Sequence, residues 1–224
     1  MNSVVILFDH LGYSERYRAL VDTRIDVFAI TAAGQGASLP DYVNEIQVPD
    51  SWMPESPPKV NRWWYKPDAV ALAGIHQLGL DYDFYWLIEY DCCATQDRWK
   101  ALFQDPVLPE YDGIFVCPKT KVQSAWAHVW GLPFAEKATH WHIFSICGLS
   151  AQAIQWLSEE AENNRNTYGE LVPGSTIVAK GGKIASINVK NHYCNGQTMK
   201  TNPDRVLVNR NFINHPIKSN TYEP

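Results

Sequence analysis

Short apolar runs, each cut off by an acid, a glycine or a proline, constrain this chain more than any other feature. Val4-Val5-Ile6-Leu7-Phe8 stops at Asp9-His10, and Asp26-Val27-Phe28-Ala29-Ile30 runs out at Gly34 and Gly36. Phe84-Tyr85-Trp86-Leu87-Ile88 gives way to Glu89-Tyr90-Asp91, and Gly113-Ile114-Phe115-Val116-Cys117 is stopped by Pro118. Runs this short and this continuously apolar suit strands buried on both faces, the habit of a parallel sheet covered by helices. Helical patterns lie between them at Ser14–Val21, Trp63–Leu78 (ended by Gly79) and Gln96–Phe103. The alternation predicts an α/β fold with a mainly parallel sheet and its ligand edge at the carboxyl ends of the strands.

The remaining segments fit that plan. Residues 37–60 hold Pro40, Pro49, Pro54, Pro57 and Pro58 and read as a long ordered loop or a short strand around Ile46–Val48. His142–Ser145 is a further candidate strand. Ala151–Glu162 predicts an amphipathic helix with Ile154 and Leu157 inside. Leu171–Lys180 reads as a helix with Pro173 in its first turn, and Ile184–Val189 alternates like a strand.

Composition narrows the function. With 46% hydrophobic and 19% charged residues among 224, the chain can fill a large core, which excludes disorder and a coiled coil. A net charge of −5 argues against a general nucleic-acid binder. No run approaches the ~18 apolar residues of a membrane span. The first apolar run lacks a basic lead and is too short for a secretory signal, so the expected setting is the cytoplasm, with reduced thiols. The five cysteines show no C-x-x-C spacing, and Cys92-Cys93 reads as small buried packing. Nine tryptophans, eleven tyrosines and eight phenylalanines mean core area first and sugar-stacking platforms second.

Several groups of residues could carry chemistry. Glu89 and Asp91, straight after the strongest strand signal, can aim two carboxylates at one hard cation of the Mg²⁺ or Mn²⁺ kind. His215, in Asn214-His215-Pro216-Ile217-Lys218, could complete a metal shell, and Lys218 could meet a phosphate; alternatively the segment is plain surface. Arg62-Trp63-Trp64-Tyr65-Lys66, at a helix amino end, suits an anion or simple aromatic packing. Glu170 is a candidate general base, or a first-turn acid that complements a helix dipole. His140 and His142 flank Trp141 and could form a zinc pair, with no third ligand at a recognisable spacing. There is no G-x-S-x-G elbow, no P-loop and no G-x-G-x-x-G.

Tyr82-Asp83-Phe84-Tyr85-Trp86-Leu87-Ile88-Glu89-Tyr90-Asp91 resembles the YDYYWFIEYD signature of bacterial and fungal proteins classed as GT-A-type glycosyltransferases. Arg62-Trp63 with Asp68 resembles that group's earlier KW…D element, and Gln96-Asp97-Arg98-Trp99 keeps the tryptophan of its G-W element without the glycine. Glu170-Leu171-Val172-Pro173-Gly174 resembles an acid before a VPT step, with Gly174 in place of the hydroxyl residue. His215-Pro216-Ile217-Lys218 resembles a late HPVK, and Cys92-Cys93 replaces a valine-plus-basic pair. The islands fall within residues 60–218.

This resemblance implies a GT-A-like (Rossmann-like) α/β fold with a mixed, mainly parallel sheet flanked by helices. The whole of 1–224 would be one domain, with a nucleotide-sugar half at 1–120 and an acceptor-side half and tail at 121–224. Glu89 and Asp91 would stand in the place of the Asp-X-Asp element, holding Mn²⁺ or Mg²⁺ with His215 as third ligand. Asp9, Arg62, Trp63, Lys66, Glu89 and Lys218 are the implied cofactor-binding residues, and Glu170 and Asp91 the implied catalytic pair. Glu170 would take the acceptor proton if the reaction inverts; a retaining reaction would need no such base, and both remain open. The implied partners are a nucleotide-diphosphate sugar donor and a glycan or lipid-linked acceptor in polysaccharide biosynthesis. A chain this short suits work beside a second copy or at the inner face of a membrane. The alternative is a non-catalytic carbohydrate-binding or assembly protein on the same scaffold.

Overall fold

The computed structural model describes residues 2–8, 20, 25–32, 43–48, 66–79, 81–89, 92, 94–106, 108–119, 139–164, 167–187, 193–195 and 213–215. Their strands are β1 (Ser3–Phe8), β2 (Asp26–Ala32), β3 (Asn44–Val48), β4 (Phe84–Glu89), β5 (Gly113–Lys119), β6 (Trp141–Ser150) and β7 (Ile184–Ser186). They form one seven-stranded sheet in the order β3-β2-β1-β4-β6-β5-β7. The ladders β1–β2, β1–β4, β2–β3 and β5–β7 are parallel, and β6 runs antiparallel between β4 and β5. This is the mixed, mainly parallel sheet flanked by helices expected from the sequence. A separate parallel pair joins β8 (Tyr193–Asn195) to β9 (Ile213–His215).

Helices cover both faces. Strand alternation sends Val4, Ile6, Tyr85 and Leu87 to one side, where they pack with α1 (Pro67–Leu78), α3 (Ala151–Glu159) and α4 (Val172–Ala179). Val5, Leu7, Phe84, Trp86 and Ile88 face the other side, against α2 (Gln96–Phe103) with its buried Trp99, Leu102 and Phe103. Each fully buried side chain of this size stabilises the fold by about 1.5–3 kcal/mol. Chain geometry ends the helices as the sequence suggests. Pro67 occupies the first turn of α1, where its missing N–H costs nothing, and Gly79 closes the helix at φ 58°, a left-handed cap. Ser150 caps α3 by accepting from the Ala153 N–H.

Several boundaries differ from the sequence expectation, among them the start of α1 at Pro67 and the end of β7 at Ser186. β5 does not stop at Pro118; it continues to Lys119 across register shifts on either side of Val116, and such irregularities are where a strand tolerates proline. β6 is far longer than His142–Ser145, because Gly148 and Ser150 look like turn residues yet lie inside the ladder with β4. α3 ends at Glu159, and the chain to Asn164 continues in turns. The helix expected at Leu171–Lys180 is α4, Val172–Ala179, with Pro173 in its first turn as expected, and a 3-10 turn, Gly169–Leu171, leads into it. The expected helix at Ser14–Val21 lies outside the described residues except for Leu20, which is helical and buried.

Candidate functional site

The site is built on the edge where the parallel strands end. In the β1–β4 ladder Phe8 pairs with Glu89, so both strands finish together. Glu89 follows Tyr85 and Leu87 at two-residue spacing and therefore projects to the α1/α4 side of the sheet. It is half-buried, as an acid at a strand end should be. Asp9 and Asp91, the acids that follow these strands, lie outside the described residues.

β6 begins at this same edge because it runs the other way. Ile88 pairs with Ile146, and one step along β5, from Phe115 to Val116, spans Cys147 to Ile143 on β6. That bulge frees the Phe144 N–H from the ladder, and it donates to Glu170 Oε1 at 3.2 Å. The Tyr168 phenol donates a second hydrogen bond to the Glu170 carboxylate. Burial first, then the charge of Glu170 and its hydrogen bond, and then the charge of Glu89 push the Tyr168 hydroxyl far above its ordinary range. The phenol therefore keeps its proton and remains a donor. Tyr168 and Glu170 thus form a hydrogen-bonded pair, a buried phenol on a half-buried carboxylate, and the charge of half-buried Glu89 at the end of β4 reaches the phenol. Beneath them Phe8 and Phe144 pack edge to face, ring centres 5.6 Å apart.

Lys66 does something else. Its side chain is buried (2% exposed), and Nζ donates to Asp68 Oδ2 at 3.1 Å, to the Asn164 carbonyl at 3.1 Å and to the Thr167 carbonyl at 2.9 Å. An ammonium has three protons, and these acceptors use all of them. The expectation that Lys66 binds a cofactor phosphate is therefore corrected: it is a structural cation at the start of α1. Asp68 is its buried counter-ion, its carboxyl raised by burial against the pull of Lys66, with Oδ1 lacking a partner among the described residues.

The histidine pair is also resolved. His140, just ahead of β6, and His142, within it, both lie near Gly174. His142 is enclosed, with its ring 4.2 Å from that of Phe115 and neither nitrogen hydrogen-bonded among the described residues. His140 Nδ1 is 2.8 Å from the Thr139 hydroxyl. No three His, Cys, Asp or Glu side chains gather as a metal shell among the described residues, which leaves the zinc reading without a third ligand. Cys92 is buried packing as expected, its thiol donating to the Ser145 carbonyl at 3.2 Å.

Of the expected metal ligands, Glu89 supplies a hard oxygen donor at a strand end, the chemistry Mg²⁺ and Mn²⁺ select. Asp91 and the side chain of His215 fall outside the description, although the His215 backbone sits in β9, paired with Asn195. Arg62, Trp63 and Lys218 are likewise outside it. Sequence reasoning missed Tyr168 and the Phe144 N–H, and it noted Asp68 without its pairing to Lys66. Tyr168 stands two residues before Glu170, a spacing that signals nothing unless a 3-10 turn is known to follow. No helix among the described residues is long and apolar enough to cross a membrane.

No protein-family model and no curated protein matches the sequence. The resemblance carried by Tyr82–Asp91 therefore has no family match behind it. Several solved structures align with the chain at low identity. An inositol-1-phosphate CTP transferase from T. maritima aligns with TM-score 0.47 and 8% identity over 83% of this chain and 84% of its own. A nucleoside-diphosphate-sugar pyrophosphorylase from Vibrio cholerae aligns with TM-score 0.45 and 12% identity over 80% and 78%. A 2-C-methyl-D-erythritol 4-phosphate cytidylyltransferase from Thermus thermophilus gives 0.45 and 9% over 84% and 88%. At these identities and TM-scores the alignments assign this chain no activity and no substrate.

Proposed function

We propose that this chain is a metal-dependent transferase that moves a sugar from a nucleoside-diphosphate sugar to a hydroxyl of a glycan or lipid-linked acceptor. The observation that carries this reading is that Glu89 ends its strand level with Phe8 at the carboxyl edge of the parallel strands, where α/β sheets bind their ligands, while Glu170 is held by the Phe144 N–H of β6, which begins at that same edge. The FYWLIEYD segment that ends in Glu89 and Asp91 supports it from the sequence side. Glu89, Asp91 and His215 would hold Mn²⁺ or Mg²⁺, whose charge offsets that building on the departing diphosphate.

The chain's own groups then divide the work. Glu170, held by the Phe144 N–H and the Tyr168 phenol, accepts the proton of the acceptor hydroxyl in an inverting transfer. The hydroxyl oxygen bonds to the sugar C1, the C1–O bond to phosphate breaks, and the nucleoside diphosphate leaves with the electron pair. Asp9, Arg62, Trp63 and Lys218 would line the donor side. Residues 1–120 would serve the nucleotide and 121–224 the acceptor, in the cytoplasm or at the inner face of a membrane.

Melting temperatures measured with Mn²⁺ and UDP, GDP or CMP test the reading. One nucleotide should raise the transition, and Asp91→Ala should abolish the rise; no effect from any of the three would sink the proposal. Product analysis separates the neighbouring chemistries. Release of nucleoside diphosphate that accelerates with acceptor marks sugar transfer. Pyrophosphate made from a nucleoside triphosphate and a sugar phosphate marks nucleotidyl transfer instead. Glycan binding indifferent to metal and unchanged in Asp91→Asn would mark a carbohydrate-binding protein.

A further inference from the structure

We infer that Lys66 is a positioning residue for Glu170, an inference that rests on the transferase reading above. Lys66 sits just ahead of α1, roughly a hundred residues from the carbonyls it grips, and such a tether is a long-range contact that local structure cannot replace. The Asn164 and Thr167 carbonyls bracket the point where the chain leaves the turns after α3. Tyr168 follows at once, then Glu170 in the turn Gly169–Leu171, whose Leu171 N–H donates back to the Tyr168 carbonyl at 2.9 Å. Lys66 therefore fixes the root of the segment whose tip carries the carboxylate. Asp68 is held on the same ammonium, so the first turn of α1 and the root of that segment share one buried cation.

The other contacts of the segment do not make Lys66 redundant. The Phe144 N–H and the Tyr168 phenol orient the carboxylate itself, whereas the ammonium sets where the backbone that bears it begins. Misplacing a reacting group by an ångström can cost about 100-fold in rate. Losing the tether should therefore lower kcat and leave donor binding alone, since every Lys66 proton already has an acceptor inside the protein.

The test compares the wild type with Lys66→Met, Lys66→Arg and the double variant Lys66→Met, Asp68→Asn. The double variant removes both buried charges together, so it is the one to use should Lys66→Met alone fail to fold. Measured quantities are kcat and KM for the sugar nucleotide, the Kd for its nucleoside diphosphate with Mn²⁺, and amide hydrogen exchange over residues 167–171. The expected result is a fall in kcat of about 100-fold, unchanged KM and Kd, faster exchange confined to that turn, and partial recovery of kcat in Lys66→Arg. A rise in Kd with kcat intact would mean that Lys66 meets the donor, and unchanged kcat and exchange would mean it positions nothing; either overturns the inference. A wild type that binds no nucleotide defeats the transferase reading separately. Exchange then decides alone: faster exchange at 167–171 supports the tether, and unchanged exchange refutes it.

Discussion

His142 shows what a polar ring costs once a sheet has closed over it. It is 1% exposed between Phe115, Phe144 and α4, and burial pushes its ionisation down from 6.5 to about 3. Below pH 6.5 the unfolded chain takes up a proton there that the folded chain refuses. Stability is lost through this residue as pH falls toward 3, by at most about 1.4 kcal/mol per pH unit. Replacing the ring by His142→Phe should remove that component, so the difference in denaturation midpoint between variant and wild type should widen steadily as pH is lowered from 7 to 4. A parallel pH dependence in the two proteins would show that the imidazole is not so enclosed. Lys66 teaches the complementary lesson. A basic residue at a helix start looks like an anion site in sequence, and the carbonyls that consume it come from Asn164 and Thr167, which nothing local announces. Glu89 and Glu170 are legible because an acid after an apolar run, or before Val-Pro, stands out. Their shared partner Tyr168 is not, since only the tertiary fold brings the strand end and the turn together.

At the scale of elements, the strands that read clearly are those filled by apolar side chains alone, β1, β2 and β4. β6 reads short because its ladder passes through Gly148 and Ser150. Gly148 is there for space: a Cβ would come within 2.8 Å of Phe84 and 3.0 Å of Trp86, rings that fill the neighbouring strand. Gly148→Ala should cost about 1–3 kcal/mol by forcing those rings aside. Urea denaturation measures it, and an effect near zero would mean the rings yield freely. Gly79 answers to a different constraint, with open space around it but a left-handed backbone. The end of a helical pattern announces Gly79 in the sequence, whereas nothing local announces the rings that Gly148 accommodates.

For the molecule as a whole, the Lys66–Asp68 pair joins the first turn of α1 to chain that follows α3. Removing one member leaves the other charge buried without compensation, the costliest kind of change to a buried pair. Asp68→Ala should therefore destabilise the entire fold by about 3–5 kcal/mol, read as a lowered midpoint in guanidinium with the slope unchanged. A loss confined to local exchange around α1 would show that the pair fastens only its own corner.

The reversed direction of β6 carries a last consequence. Lys119 at the end of β5 pairs with Trp141 at the start of β6, so the stretch joining them leaves and returns at the rim that bears Glu89. A residue inserted between those two ends adds no rung to the ladders of the sheet, so changes of length there are accommodated at the rim and not in the central layer.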